Sequence, residues 1–480
     1  MIYKQILISV AVILLILFST KTVLPKTFSD KKPAEITLNH DKMINPLIQL
    51  KIIIDNVNKG VVTAYITPEE FNRIQEKGYT IKWIPDFPKT RFKPSNSKTT
   101  SSSKKDLLSY PTYNELSDEL ETIVLSSPSI CSLIDGGLSV EGKTLWWVKL
   151  SDNVNTEESE PEMHFIGGIH GDEPVGVALS TKLIRYLTTN YPTDSRIRNI
   201  IDTTEIWIMP LMNPDGYMVG ERWNANGEDL NRSFPVFSPD SPESMQSMIG
   251  VEPEVAAIMS WSLNHRSVLS ANFHSGALVV NYPFDYTGEL CPDNDLFEYI
   301  ALQYSSNNSP MYNTTNPVTA TNGTIRGALW YQIEGGMQDW TYLTTGGNHV
   351  TIELSSEKSP NITALQTLWS DNRESMLAYL EAVHCGVKGI VTDVQFGDPL
   401  SASIKVDGNT HLVYTDPDVG DFHRLLLPGN YTITIESDGY TPQTQTITID
   451  DNSVSQLDVQ LVPVESTDND FGCFIIAAVK

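Results

Sequence analysis

From about Ser109 to Cys385, apolar strand-like runs alternate with segments of helical period, and this alternation constrains the fold most. EMHFIGGI leads through a short loop into PVGVALSTKLIRYL, which has apolar residues at helical spacing. TEIWIMPLM, SVLSANF and NHVTIEL read as further strands, while EVAAIMSWSL and TALQTLWSDNRESMLAYLEAV read as helices. The pattern predicts an α/β domain over 107–384, a mainly parallel mixed sheet covered by helices on both faces. Sheets of this kind bind ligands beyond the carboxyl ends of their strands.

The rest of the chain has a different texture. Lys4 precedes Ile6–Phe18, an uncharged apolar run too short for the roughly 20 residues a spanning helix needs. Residues 1–22 therefore read as a signal peptide or an uncleaved N-terminal anchor, and the chain as exported, secreted or held at the cell surface. Residues 30–105 read as a small α+β segment and a linker. LIQLKIIID is a strand, PEEFNRIQEKG a capped helix, YTIKWI a second strand, and SNSKTTSSSKK an exposed basic stretch. A propeptide and an accessory domain are both compatible with that layout. Residues 385–464 carry short alternating strands separated by Gly, Asp and Pro, the pattern of a β-sandwich. The tail 465–480 is a polar spacer before a short apolar segment.

Fifty-nine Asp and Glu against 33 Lys and Arg leave a formal charge of -26, which excludes nucleic acid as a natural partner. Four scattered cysteines (Cys131, Cys291, Cys385, Cys473) form no C-x-x-C, so they read as buried thiols or one or two bridges without a catalytic role.

His170-Gly-Asp-Glu173 follows the EMHFIGGI strand, and His274 closes SVLSANF. Two imidazoles and a carboxylate are a zinc donor set that leaves a position for water. Taken alone, H-x-x-E is a weak motif and His274 reads more readily as a hydrogen-bonded core histidine. Arg222, Asp229, Asn231 and Arg232 lie within eleven positions, and a guanidinium fork suits a free carboxylate. Glu353 stands in an otherwise apolar strand, with Tyr331 upstream in WYQIEGGMQDW.

HGDEPVG, MNPDGY, NGEDLNRSFP, the stretch from His274 to Asp285, GGMQDWTY and TIELSSEKSP, in this order, resemble the zinc carboxypeptidase family. The resemblance covers about 170–360 and is nearest the carboxypeptidase D, E, M and N subfamily. In that subfamily a transthyretin-like domain follows the catalytic one, as 386–464 does here. It implies one Zn2+ held by His170, Glu173 and His274, with Asp229 orienting a ligand histidine. It further implies that Asn231 and Arg232 hold the terminal carboxylate of a peptide or protein, that Arg222 stabilises the oxyanion, and that Tyr331 caps the bound residue. Glu353 would be the general base. Asp285, eleven positions past His274, and Gln338 would line a pocket for a terminal Lys or Arg. The sequence departs from the family pattern at Ser356, where the family has Cys, and at His274-Ser-Gly-Ala, where it has His-Gly-Gly. A carboxypeptidase for peptidoglycan stem peptides on the same fold and a deacylase of N-acyl amino acids stay open as alternatives. So does a non-catalytic peptide-binding module.

Overall fold

The computed structural model describes residues 31–38, 44–84, 94, 108–238, 241–317, 319–451 and 453–464. The leader, most of the linker and the tail with Cys473 lie outside the described residues.

Eight strands build the central sheet: β5 (Cys131–Leu138), β6 (Thr144–Leu150), β7 (Glu162–Gly167), β8 (Glu205–Met209), β9 (Leu269–His274), β10 (Ala277–Tyr282), β11 (Thr324–Arg326) and β12 (Asn348–Ser355). The N-terminal segment holds the four preceding strands, between Lys32 and Trp83. The order across the sheet is β11-β10-β12-β9-β7-β8-β6-β5. The inner four, β12-β9-β7-β8, run parallel, and β10, β6 and β5 join antiparallel. Every residue of β7 and β9 is buried, as expected of strands covered on both faces. The helices Val175–Asn190 and Ile362–Glu381 cover one face, where Leu179, Leu183 and Tyr379 meet Phe165 and Phe273. Pro253–Asn264 and Met337–Thr345 cover the other, around Trp147, Met209, Met259 and Trp340. This is the mixed sheet between helical layers that the alternation implies.

The C-terminal strands form two sheets packed around Val387, Ile404, Phe422, Ile433 and Leu461. Cys131, Cys291 and Cys385 are free thiols that burial raises to about 12, about 12 and about 11, so none is a thiolate.

The N-terminal segment departs from a simple strand–helix–strand unit. It is a four-stranded antiparallel sheet of β1 (Lys32–Thr37), β2 (Ile53–Asn58), β3 (Val61–Ile66) and β4 (Thr80–Trp83), in the order β2-β3-β1-β4. LIQLKIIID is not one strand. Pro46 starts the short helix Asn45–Ile48, and Lys51 at φ 53° turns the chain before β2 begins. Lys59 and Gly60, both at positive φ, then close a tight hairpin into β3. The helix Pro68–Glu76 starts on a capping box between Thr67 and Glu70, as its sequence predicts.

Candidate active site

β7 and β9 are neighbours, and the chain leaves them towards opposite sides of the sheet, so their carboxyl ends flank a crevice. His170 and Glu173 lie in the loop after β7, His274 ends β9, and Glu353 pairs in register with His274 from β12. The short loop to the helix at Val175 requires close packing. A Cβ on Gly171 would stand 2.2 Å from the backbone of Gly216 and Tyr217.

His170 Nδ1 lies 3.1 Å from Glu173 Oε1, and His274 Nδ1 lies 2.9 Å from Glu173 Oε2. The ligand atoms of these three buried residues fall within 4.8 Å of one another. His170 Nε2 meets Asp229 Oδ1 at 3.0 Å, which places the ring proton there and turns the Nδ1 lone pair inward. Burial pushes the His274 imidazole down to about 4, so it is neutral, as a metal ligand must be. Asn272 Nδ2 lies 3.1 Å from His274 Nε2; with the side-chain amide turned over, its Oδ1, buried without a partner, accepts the Nε2 proton and leaves Nδ1 as the ligand atom. Burial and Arg222 lower the His170 imidazole, but Glu173 and Asp229 raise it overall, so a metal binds there by displacing a proton; two imidazole nitrogens and one carboxylate fit zinc.

Arg222 is buried beside this group. Its Nε donates to Asp229 Oδ2 at 2.9 Å, and its NH1 lies 3.1 Å from His170 Nδ1. Burial alone would raise the Asp229 carboxyl, but Arg222 and then His170 hold it well below the carboxylate range. Glu353 Oε2 is buried with no hydrogen-bond partner. Burial first, and Glu173 second, raise the Glu353 carboxyl well above its ordinary value.

A cleft of about 210 Å³ joins these groups to Asn231, Arg232, Asp285 and Tyr331. Asn231 Oδ1 accepts from Met337 N at 2.9 Å, and Arg232 NH1 donates to the Asn231 carbonyl at 2.8 Å. Asp285 is 4% exposed, and its carboxyl rises to about 6 because burial outweighs a hydrogen bond from Asn281 and the charge of Arg232. Of the residues expected from sequence, Asp229, behind His170, and Gln338 are absent from the cleft lining. Asp229 is expected only to orient a histidine, whereas Gln338 is expected in the pocket. Gln338 is 1% exposed in the Met337–Thr345 helix, with both polar atoms unpartnered.

The cleft also holds residues that sequence reasoning missed. Strand β2 of the N-terminal module enters it. Asp55 Oδ1 lies 3.1 Å from Arg222 NH1 and 2.7 Å from Lys358 Nζ, and Arg232 NH2 donates to the Ile54 carbonyl at 3.2 Å. Tyr331 Oη and Trp330 Nε1 donate to the carbonyls of Asp55 and Val57, and Asn56 Nδ2 to that of Gly276. Lys358 lies within the TIELSSEKSP block, but no sequence signal pairs it or Arg222 with Asp55.

Residues 116–375 match the zinc carboxypeptidase family and residues 386–462 the carboxypeptidase regulatory-like domain. The chain belongs to the zinc carboxypeptidase family, and a regulatory-like domain follows the region that carries the match. Among its relatives, carboxypeptidase D of Homo sapiens is 40% identical over 71% of this chain, which spans 26% of that longer protein. The carboxypeptidase N catalytic chain of Rattus norvegicus is 36% identical over 73% of this chain and 85% of its own length. The solved carboxypeptidase A of Helicoverpa armigera shares the fold with a TM-score of 0.59 at 17% identity, covering 73% of this chain and 97% of that one.

Proposed function

We propose that this chain is an exported carboxypeptidase that releases single Lys or Arg residues from the C-termini of peptides and proteins. The observation that carries the specificity is Asp285, a buried carboxylate lining the same cleft as Arg232 and the His170–Glu173–His274 group. Relatives named carboxypeptidase D and N support the same reading. Export rests on the uncharged run from Ile6 to Phe18.

Zinc, when bound by His170, Glu173 and His274, supplies a Lewis acid and lowers the pKa of water towards about 7. Arg232 and Asn231 bind the free carboxylate of the substrate, which an internal peptide bond lacks. Without that anion the guanidinium is left unpaired, so cleavage is confined to the chain end. Tyr331 closes over the terminal residue, and Asp285 meets its ammonium or guanidinium. Glu353 takes the proton of the attacking water and returns it to the leaving amine. Arg222 stabilises the oxyanion as charge develops.

In this reading residues 30–105 are a latency module. Asp55 sits between Arg222 and Lys358, and the Ile54 carbonyl occupies the guanidinium that would hold a substrate carboxylate. Turnover of peptides ending in Lys, Arg, Phe, Glu and D-Ala, before and after limited proteolysis and with and without chelator, tests the whole proposal. Preference for Phe or D-Ala ends would overturn the basic specificity. Equal activity before and after removal of the module would overturn latency.

A further inference from the structure

The acid of the pocket is held in an unusual way. Asp285 follows β10, and its Oδ1 accepts one side-chain hydrogen bond, from Asn281 Nδ2 at 3.0 Å. Among the described residues it has no ion pair. A buried carboxylate with so little support should turn to nearby backbone N–H groups, as Asp side chains do in turns. Those donors are already taken. Asp339, in the first turn of the Met337–Thr345 helix, accepts from Asp285 N at 2.9 and 3.1 Å and from Tyr286 N at 2.9 Å. Asp339 is itself buried and does not line the cleft.

The surrounding chain fixes the same loop from the other side. Ala328 N donates to the Phe284 carbonyl at 2.8 Å, and Ile333 N to the Asp285 carbonyl at 3.1 Å. Gly327 packs so tightly against the carboxylate that a Cβ there would stand 1.7 Å from Asp285 Oδ1. The Asp285 side chain thus lines the cleft with acceptor capacity beyond the Asn281 bond, while the N–H groups of Asp285 and Tyr286 are already taken.

We propose that Asp339 is the positioning residue of the specificity pocket: by claiming the N–H groups of Asp285 and Tyr286, it keeps the Asp285 carboxylate turned into the cleft. The proposal rests on the reading of Asp285 as the pocket acid. Asp339 touches no substrate and acts through Asp285 alone.

The test compares Asp339→Asn, Asp285→Ala and the double variant in the proteolytically opened, zinc-loaded enzyme, on peptides ending in Arg and in Leu. An amide at 339 keeps one acceptor but turns an NH2 towards the remaining N–H. Asp339→Asn is expected to shift the Arg-to-Leu ratio of kcat/KM by about tenfold or more, through KM, in the direction Asp285→Ala shifts it. In the Asp285→Ala background the same substitution should change that ratio less than about twofold, because residues acting through one group are not additive. An unchanged ratio, equal loss for both peptides, or full additivity would overturn the proposal. Should Asp339→Asn not fold, Asp339→Glu, which keeps the carboxyl group but displaces the acceptors, is held to the same three outcomes. A wild type without basic preference would defeat the proposed specificity alone. Whether the Asp339 and Asp285 variants share one substrate profile would still decide the positioning role.

Discussion

Asp55 Oδ1 approaches the Arg222 guanidinium to 3.1 Å and the Lys358 ammonium to 2.7 Å, so a carboxylate of the N-terminal module stands among the groups that surround the zinc ligands. All three side chains are largely buried, and Arg222 and Lys358 keep other partners, in Asp229 and Asp172, without Asp55. Hydrogen bonds between charged groups of this kind contribute about 1.5–3 kcal/mol each.

Removing Asp55 should therefore loosen the module without damaging the site. Asp55→Ala is expected to raise the activity of the full chain by about 10- to 100-fold, the population shift that such an energy allows. After proteolytic removal of the module, variant and wild type should turn over alike. A variant no more active than the wild-type full chain would show that Asp55 does not maintain latency.

Replacing His170 or His274 with Ala removes one of three ligands, and metal analysis should find most zinc lost. Glu353→Gln is isosteric and leaves the ligand set intact. It should keep zinc and melting temperature while turnover falls by about 10²–10⁴ or more, the loss expected of a general base. Near-normal turnover would exclude Glu353 from that role.

Asp285 sets a pH dependence of its own. Burial pushes its carboxyl up to about 6, against the opposing pull of Asn281 and Arg232, with Asp339 the acid packed behind it. The group is ionised above that value and neutral below it. Relative kcat/KM for Lys- and Arg-ending peptides over Leu-ending ones should thus fall as pH drops from 7 to 5. Asp285→Ala, which strands the bound cation at a cost of about 2–5 kcal/mol, should flatten that profile. A ratio that does not change with pH in wild type would refute the assignment.

The central fold was readable because its strands are apolar runs separated by helix-period segments, and burial of both faces leaves little choice of layer order. The metal group was readable through the ordered motifs around it, because H-x-x-E alone is weak and His274 alone reads as a core histidine. The N-terminal sheet was only partly legible. Its β1 is a short, half-polar strand, and a left-handed residue at Lys51 splits an apolar run that alternation alone would join. Asp55 escaped notice because its meaning depends on a contact with Arg222 across 167 positions. Asp339 escaped because its partners are backbone N–H groups, which carry no residue identity.

The junction between the peptidase and regulatory-like domains turns on one buried ion pair. Arg424, 0% exposed in the β-domain, donates to Asp293 at 2.7 and 3.2 Å, and Asn409, His411 and Tyr342 approach the same carboxylate at 2.6, 2.5 and 2.9 Å. Burial alone would raise the Asp293 carboxyl, but His411 and Arg424 hold it well below the carboxylate range. Arg424→Leu leaves that buried anion without its guanidinium, held by His411, Asn409 and Tyr342 alone, and should cost about 3 kcal/mol in urea or thermal unfolding. Asp293→Leu combined with Arg424→Leu removes both charges and should recover a large part of the loss. The depressed carboxyl contributes stability that is present above the unfolded Asp value near pH 4 and is lost as pH falls below it. The wild type should accordingly lose more stability than the double variant between pH 5 and 2. Purely additive single losses, or a double variant as acid-labile as the wild type, would show that the junction does not depend on this pair.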